Sequence, residues 1–207
     1  VSTGTIFSVW EKTSTGPAKV EDILRPGHEM ICSGYCCYGS ATEMVLWYGH
    51  GMQRFTLDPS LGEFILTALH MDIPTSPKTI YSINEGNYVT WDENMQRAVD
   101  GFKFNEPKPY TARYVGSMVA DVHRTILYGG IYMYPADKKK GNGKLRVLYE
   151  GFPMAMLVEK AGGSASTGMF RGEITRMLDL VPTTIHEKCP VVIGCTRDVD
   201  RVLKEYA

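Results

Sequence analysis

From residue 91 onward the apolar residues change their spacing segment by segment, and that switching constrains the fold more than any other feature. WDENMQRAVDGF (91 to 102) reads as a helix with Asp92 as its N-cap. Val115, Val119, Val122 and Ile126 recur at helical spacing, and Gly129-Gly130 supplies a stop. IYMYP follows as a strand and KLRVLY (144 to 149) as another. Pro153 suits a first helical turn, after which Met154, Leu157, Val158 and Ala161 mark one helix face before Gly162-Gly163. PVVIGC is a buried strand, and Val199, Val202, Leu203 and Tyr206 repeat helically to the end. Strands alternating with helices predict an α/β layered domain whose sheet is largely covered.

Before that point the pattern is a meander of strands. TGTIFSVW (3 to 10) and EMICSGYCCY (29 to 38) are joined by a Pro/Gly-containing loop, and GMQRFTL and EFILTAL flank LDPSLG, where Asp58 and Glu63 shape a turn. With 207 residues, 43% of them hydrophobic, the chain suffices for one sizeable core, and a single domain is expected. No internal repeat or low-complexity linker interrupts it. VSTGTIFSVW opens without methionine like a strand already under way, which predicts a piece of a longer polypeptide.

The 22 Lys+Arg balance 23 Asp+Glu, so no general field gathers nucleic acid or an anionic membrane, and neither partner is expected. No apolar run approaches a membrane span, and no leader pattern is visible. Five cysteines, odd in number and without two CxxC pairs, predict reduced thiols in a cytoplasmic-type compartment rather than a disulfide framework or zinc ribbon.

Against that neutral background, KKKGNGKLRVLYE (138 to 150) concentrates five basic residues in nine positions. Alternation places Lys144, Arg146 and Leu148 on one side of a strand and Leu145, Val147 and Tyr149 on the other. Two cations on one strand face suit a phosphorylated ligand, whereas Lys138 to Lys140 read as a solvated loop. Glu150 closes the strand just before the Pro-started helix, where open α/β sheets present ligand-binding groups. A carboxylate beside cations suits a hard metal bridging protein and phosphate, although for one glutamate taken alone a helix-dipole role is the more common explanation.

In ARYVGSMVADVHR (112 to 124), Arg113 and Tyr114 precede Gly116-Ser117 at a helix start. Unpaired N–H groups, a glycine that permits close approach and a forked guanidinium make an anion site there. A plain N-cap with a solvated arginine explains the same residues, and spacing leaves both open. Tyr81, Asn84, Tyr88, Tyr110, Tyr114, Tyr132 and Tyr134 add hydroxyls and an amide near the strand ends. The five histidines show no HExxH spacing, His123 reads as a helix-packing residue, and no nucleophile elbow is present.

SINEGN (82 to 87), ARYVGSMVADVHRT (112 to 125), GGIYMYPADKKKGNGKLRVLYE (129 to 150) and LVEKAGG (157 to 163) together closely resemble the C-terminal half of the fructose-1,6-bisphosphatases. STGTIF at the front and LVPTTIH (180 to 186) extend the resemblance over essentially the whole chain. It implies a layered α/β/α sandwich with a mixed central sheet, as in the sugar-phosphatase superfamily, formed by residues 1 to 207 as the C-terminal domain of a larger protein. It also implies hydrolysis of the 1-phosphate of fructose 1,6-bisphosphate in gluconeogenesis, with Mg2+ or alternatively Mn2+ or Zn2+. Carried over by position, Asn84, Tyr114 and Tyr134 bind the 6-phosphate and Lys144 reaches the sugar and phosphate. Gly116, Ser117 and Met118 line the sugar pocket, Arg146 lies near the 1-phosphate, and Glu150 is a metal ligand with a catalytic role. Arg113 would act across a subunit interface in a cytoplasmic homotetramer. The implied chemistry is metal-assisted attack of water on phosphorus.

Three departures follow from the same comparison. The family's acidic segment with most metal ligands belongs just before Val1, so this chain alone is expected to be inactive. Asn87 stands where many relatives carry a substrate-binding tyrosine, with adjacent Tyr88 as a replacement. Glu11 takes the place of an arginine that helps animal members bind AMP, which leaves AMP control unreadable. An inositol-phosphate or sedoheptulose-bisphosphate phosphatase is the nearest rival enzyme. The alternative of another class is a non-catalytic sugar-phosphate binding or regulatory module.

Overall fold

The computed structural model describes residues 2–105, 107–139 and 141–207. Five strands, β1 (Thr3–Trp10), β2 (Met30–Tyr38), β3 (Thr42–Trp47), β4 (Gln53–Asp58) and β5 (Glu63–Ala68), form an antiparallel meander in chain order. The turn between β4 and β5 forms as LDPSLG predicts. Asp58 Oδ1 accepts from Ser60 N at 2.8 Å and from Ser60 Oγ at 2.6 Å, and Gly62 takes a positive φ of 71°. Apolar spacing gives no signal for β3, since TEMVLW buries only Val45 completely.

The second sheet contains β6 (Ile80–Ser82), β7 (Thr111–Ala112), β8 (Ile131–Tyr134), β10 (Ser164–Phe170), β11 (Glu173–Arg176) and β13 (Val191–Gly194), in the order β11-β10-β13-β8-β6-β7. It is mixed, with β6 parallel to β7 and β8 and the remaining pairs antiparallel. A separate two-stranded ladder joins β9 (Leu145–Arg146) to β12 (Lys188–Cys189).

Helices α1 (Glu93–Lys103), α2 (Met118–Tyr128), α3 (Phe152–Lys160) and α4 (Thr196–Leu203) cover both faces of the mixed sheet. The alternation of β8 shows how: Tyr132 belongs to the core with α2 and α3, and Ile131 and Met133 to the core with α1 and α4. This is the expected α/β/α sandwich, and the meander adds a further layer over α2 and α3. Asp92 caps α1 as predicted, accepting from Met95 N at 2.8 Å.

Two segments depart from the sequence expectation. KLRVLY is a strand only at Leu145–Arg146, and Val147–Gly151 winds into a π-helical turn leading into α3. Val147 and Leu148 are both buried, which a strand would divide between opposite faces and a helical turn does not. Leu148 therefore does not share a side with Lys144 and Arg146. In α3, Phe152 through Val158 are all buried, because the helix is enclosed between the two sheets instead of presenting one face.

His123 joins α2 to the meander, with its Nδ1 2.7 Å from the Tyr35 hydroxyl. Burial holds its pKa below the ordinary 6.5, Glu43 opposes that shift and Arg54 adds to it. The unfolded chain thus takes up a proton before the folded one does, so stability present above the ordinary value is lost as pH falls through it towards the lowered value. Urea midpoints at pH about 7.5 and about 5.5 should differ, and His123→Gln should flatten the difference; an unchanged slope in the variant refutes the assignment.

Candidate functional site

Because β6 runs parallel to both β7 and β8, the carboxyl ends of three strands open on one edge of the mixed sheet. Strand pairing ends there, and side chains of the following loops converge. Tyr134 is the last residue of β8. Asn84 follows β6 and caps the 3-10 turn Glu85–Thr90, its Oδ1 accepting from Gly86 N at 3.2 Å. Arg113 and Tyr114 follow β7, and Arg113 N still donates to Tyr81 O at 2.9 Å. The Tyr114 phenol is pushed up by burial and by the neighbouring Tyr134 and Asp121, so it remains a hydrogen-bond donor at neutral pH.

The loop into α2 is shaped by Asp121, for which the sequence pattern gives no signal beyond its place on the helix. Its fully buried carboxylate accepts from Val115 N at 3.0 Å, Gly116 N at 3.0 Å and Ser82 Oγ at 3.0 Å, and pairs with Arg124 Nη1 at 2.9 Å. Gly116 adopts a φ of 85°, where a side chain is strained, which is why glycine precedes this helix. Ser117 sits at the N-cap without a side-chain cap bond, and Met118 is buried at the first helical position. The N–H groups of Val115 and Gly116 thus donate to Asp121 and are not free to receive an anion.

Of the basic run, Arg146 lies in the β9–β12 ladder and Lys144 immediately before it. Lys144 Nζ lies 5.8 Å from the Tyr134 ring centroid, and both residues line a cleft of about 440 Å³ with Asn87, Trp91, Asn142 and Lys188. Arg146 N donates to Glu150 Oε2 at 2.7 Å, and the Arg146 guanidinium is 3.7 Å from the same atom. The π-helical turn brings about this i, i+4 meeting of charges. Lys140 lies outside the described residues. Tyr88 is turned away from the cleft, its hydroxyl donating to Asp100 at 2.7 Å, while Asn87 faces it.

Arg113 lines a different cleft, of about 490 Å³, with Lys78, Lys108, Arg124 and Tyr128. Tyr134 and Lys144 therefore share one cleft and Arg113 lines another.

Among the described residues, no group of three His, Cys, Asp or Glu side chains is arranged to hold a metal ion. Glu150 offers one carboxylate, one oxygen of which already accepts from Arg146 N. A hard divalent cation takes about six oxygen ligands, so these residues do not make a metal centre on their own. All five cysteines are free thiols.

The family model described as the C-terminal domain of fructose-1,6-bisphosphatase matches residues 73–207, and that of the N-terminal domain matches residues 1–69. Cytosolic fructose-1,6-bisphosphatase of Oryza coarctata is 52% identical over 209 residues, which take in all of this chain and 59% of the relative. The cytosolic enzyme of Arabidopsis thaliana is 53% identical, again over all of this chain and 60% of the relative. The chain thus spans about three fifths of the length of the curated relatives it matches. The crystal structure of Leishmania major fructose-1,6-bisphosphatase in holo form superposes with a TM-score of 0.91 at 45% identity, covering all of this chain and 64% of that one.

Proposed function

Because the chain belongs to the fructose-1,6-bisphosphatase family, we propose that it forms the sugar-phosphate-binding part of an enzyme that hydrolyses the 1-phosphate of fructose 1,6-bisphosphate in gluconeogenesis. The observation that carries this reading is the meeting of Tyr134, at the end of β8, with Lys144 in one cleft. Phenol and amide donors from Tyr114, Tyr134 and Asn84 hold the 6-phosphate, and the Lys144 ammonium offsets its charge. Gly116, Ser117 and Met118 form the sugar wall, kept in place by Asp121. Arg146 faces the 1-phosphate, steadied by Glu150. Holding both ends of the substrate on strands and a helix start fixes the reacting phosphorus without cost at the moment of reaction.

The family's divalent ion is taken to be Mg2+, with Mn2+ or Zn2+ as alternatives, and Glu150 is its one ligand from this chain. When bound, such an ion polarises a phosphoryl oxygen and activates water. Arg113 serves the active site of a neighbour in a homotetramer, which its place in a separate cleft supports. The cytosolic naming of the relatives supports a cytoplasmic setting.

A non-catalytic sugar-phosphate binding module is favoured by one observation, the lack of an acidic cluster among the described residues. The two readings separate in a hybrid joining this chain to the part of the Oryza coarctata cytosolic relative that it does not cover. With Mg2+, the hybrid should release phosphate from fructose 1,6-bisphosphate and the 207-residue chain should not. A folded hybrid that binds fructose 6-phosphate yet releases nothing leaves the binding module; one that binds no sugar phosphate refutes both.

A further inference from the structure

We propose that Lys188, which neither the sequence motifs nor the family resemblance singles out, is a second cation of the phosphate cleft. The proposal rests on the sugar-phosphate reading above. In the β9–β12 ladder Lys188 stands directly opposite Arg146, and Cys189 opposite Leu145. Directly opposed residues of an antiparallel pair share a face, so Arg146 and Lys188 point one way while buried Leu145 and Cys189 point the other. Lys144 lies two positions before Arg146 and lines the same cleft as Lys188.

Like charges set directly opposite each other destabilise a ladder. Among the described residues Arg146 has Glu150 to offset it, but neither Lys144 nor Lys188 forms an ion pair. The carboxylate lining this cleft, Asp137, accepts from Lys139 N at 2.8 Å. The ladder is nonetheless held firmly in this register. A Cβ on Gly143 would lie 1.9 Å from Cys189 O, so β12 approaches the Gly-Asn-Gly turn as closely as only glycine allows. A phosphate dianion between the two ammonium groups resolves the repulsion, with Tyr134 and Asn87 on the same cleft to donate hydrogen bonds.

The test is titration calorimetry of the 207-residue chain with fructose 6-phosphate at two salt concentrations. Wild type, Lys188→Met, Lys188→Arg and Lys144→Met are compared, each first shown to be folded by circular dichroism. Lys188 is exposed, so its replacement leaves the core untouched. Lys188→Met should weaken binding about tenfold, as for loss of one charged hydrogen bond. It should also flatten the salt dependence, and Lys188→Arg should restore most of the affinity. Binding by Lys188→Met within about twofold of wild type, with Lys144→Met impaired, overturns the role of Lys188 alone. A wild-type chain that binds no fructose 6-phosphate overturns this proposal together with the sugar-phosphate reading.

Discussion

Asp121→Ala is expected to lower the unfolding free energy by about 3–5 kcal/mol, the range for removing one partner of a buried ion pair. The carboxylate satisfies two backbone N–H groups, one hydroxyl and one guanidinium at once. Its loss leaves Val115 N, Gly116 N and Ser82 Oγ without their acceptor, and Arg124 beside them with a buried Nε that already has no partner. Asp121→Asn should fall between, since an amide oxygen still accepts from the loop while its NH2 meets the guanidinium unfavourably. Urea unfolding near neutral pH measures both. A loss below about 1 kcal/mol for the alanine variant, the worth of one ordinary hydrogen bond, would show that the carboxylate is not the hub of this loop. Fructose 6-phosphate binding should weaken in the same variants, because Tyr114, Gly116 and Met118 are placed by that loop.

Glu150→Gln tests charge apart from shape. The glutamine oxygen can still accept from Arg146 N, so the π-helical turn should persist and thermal stability should change little. In the hybrid described above, phosphate release should nevertheless fall at least about a hundredfold, as expected when a metal ligand loses its charge. Fructose 6-phosphate binding without metal should remain, because Tyr134 and Lys144 lie on the cleft that Glu150 does not line. Full activity in Glu150→Gln would remove this residue from the ligand set.

The helices were legible because each buries a stripe at the right spacing, as Val119, Val122 and Ile126 do in α2. The missed strands bury residues that carry no apolar signal. In β10, Ala165, Ser166 and Thr167 are buried, with Ser166 Oγ donating to Thr175 O on the partner strand and Thr167 Oγ1 to Gly168 O. Such burial is affordable only once the partner strand exists, which local spacing cannot reveal. KLRVLY looked like a strand because Leu145, Val147 and Tyr149 alternate, although the neighbour Leu148 also had to be buried. In the site, Tyr134 and Lys144 were readable from the basic run and its resemblance. Asp121 and Lys188 were not, since the first acts by satisfying backbone N–H groups of the preceding turn, which a polar residue on a helix does not announce, and the second through a pairing across more than forty residues.

The layer formed by β1 to β5 has a consequence for how the chain acquires its fold. Tyr35 meets His123 across a sequence separation of 88 residues, and Val45 lies in the same core as Val119 and Leu157. During synthesis the meander emerges before α2 and α3 and must wait for them before its inner face is covered. Throughout that interval β5 stands at the sheet margin, and Phe64, Ile65 and Leu66 remain exposed in the folded structure of this chain. The period before residue 160 leaves the ribosome is therefore when this polypeptide is most prone to self-association, and slowing translation there should cost soluble yield.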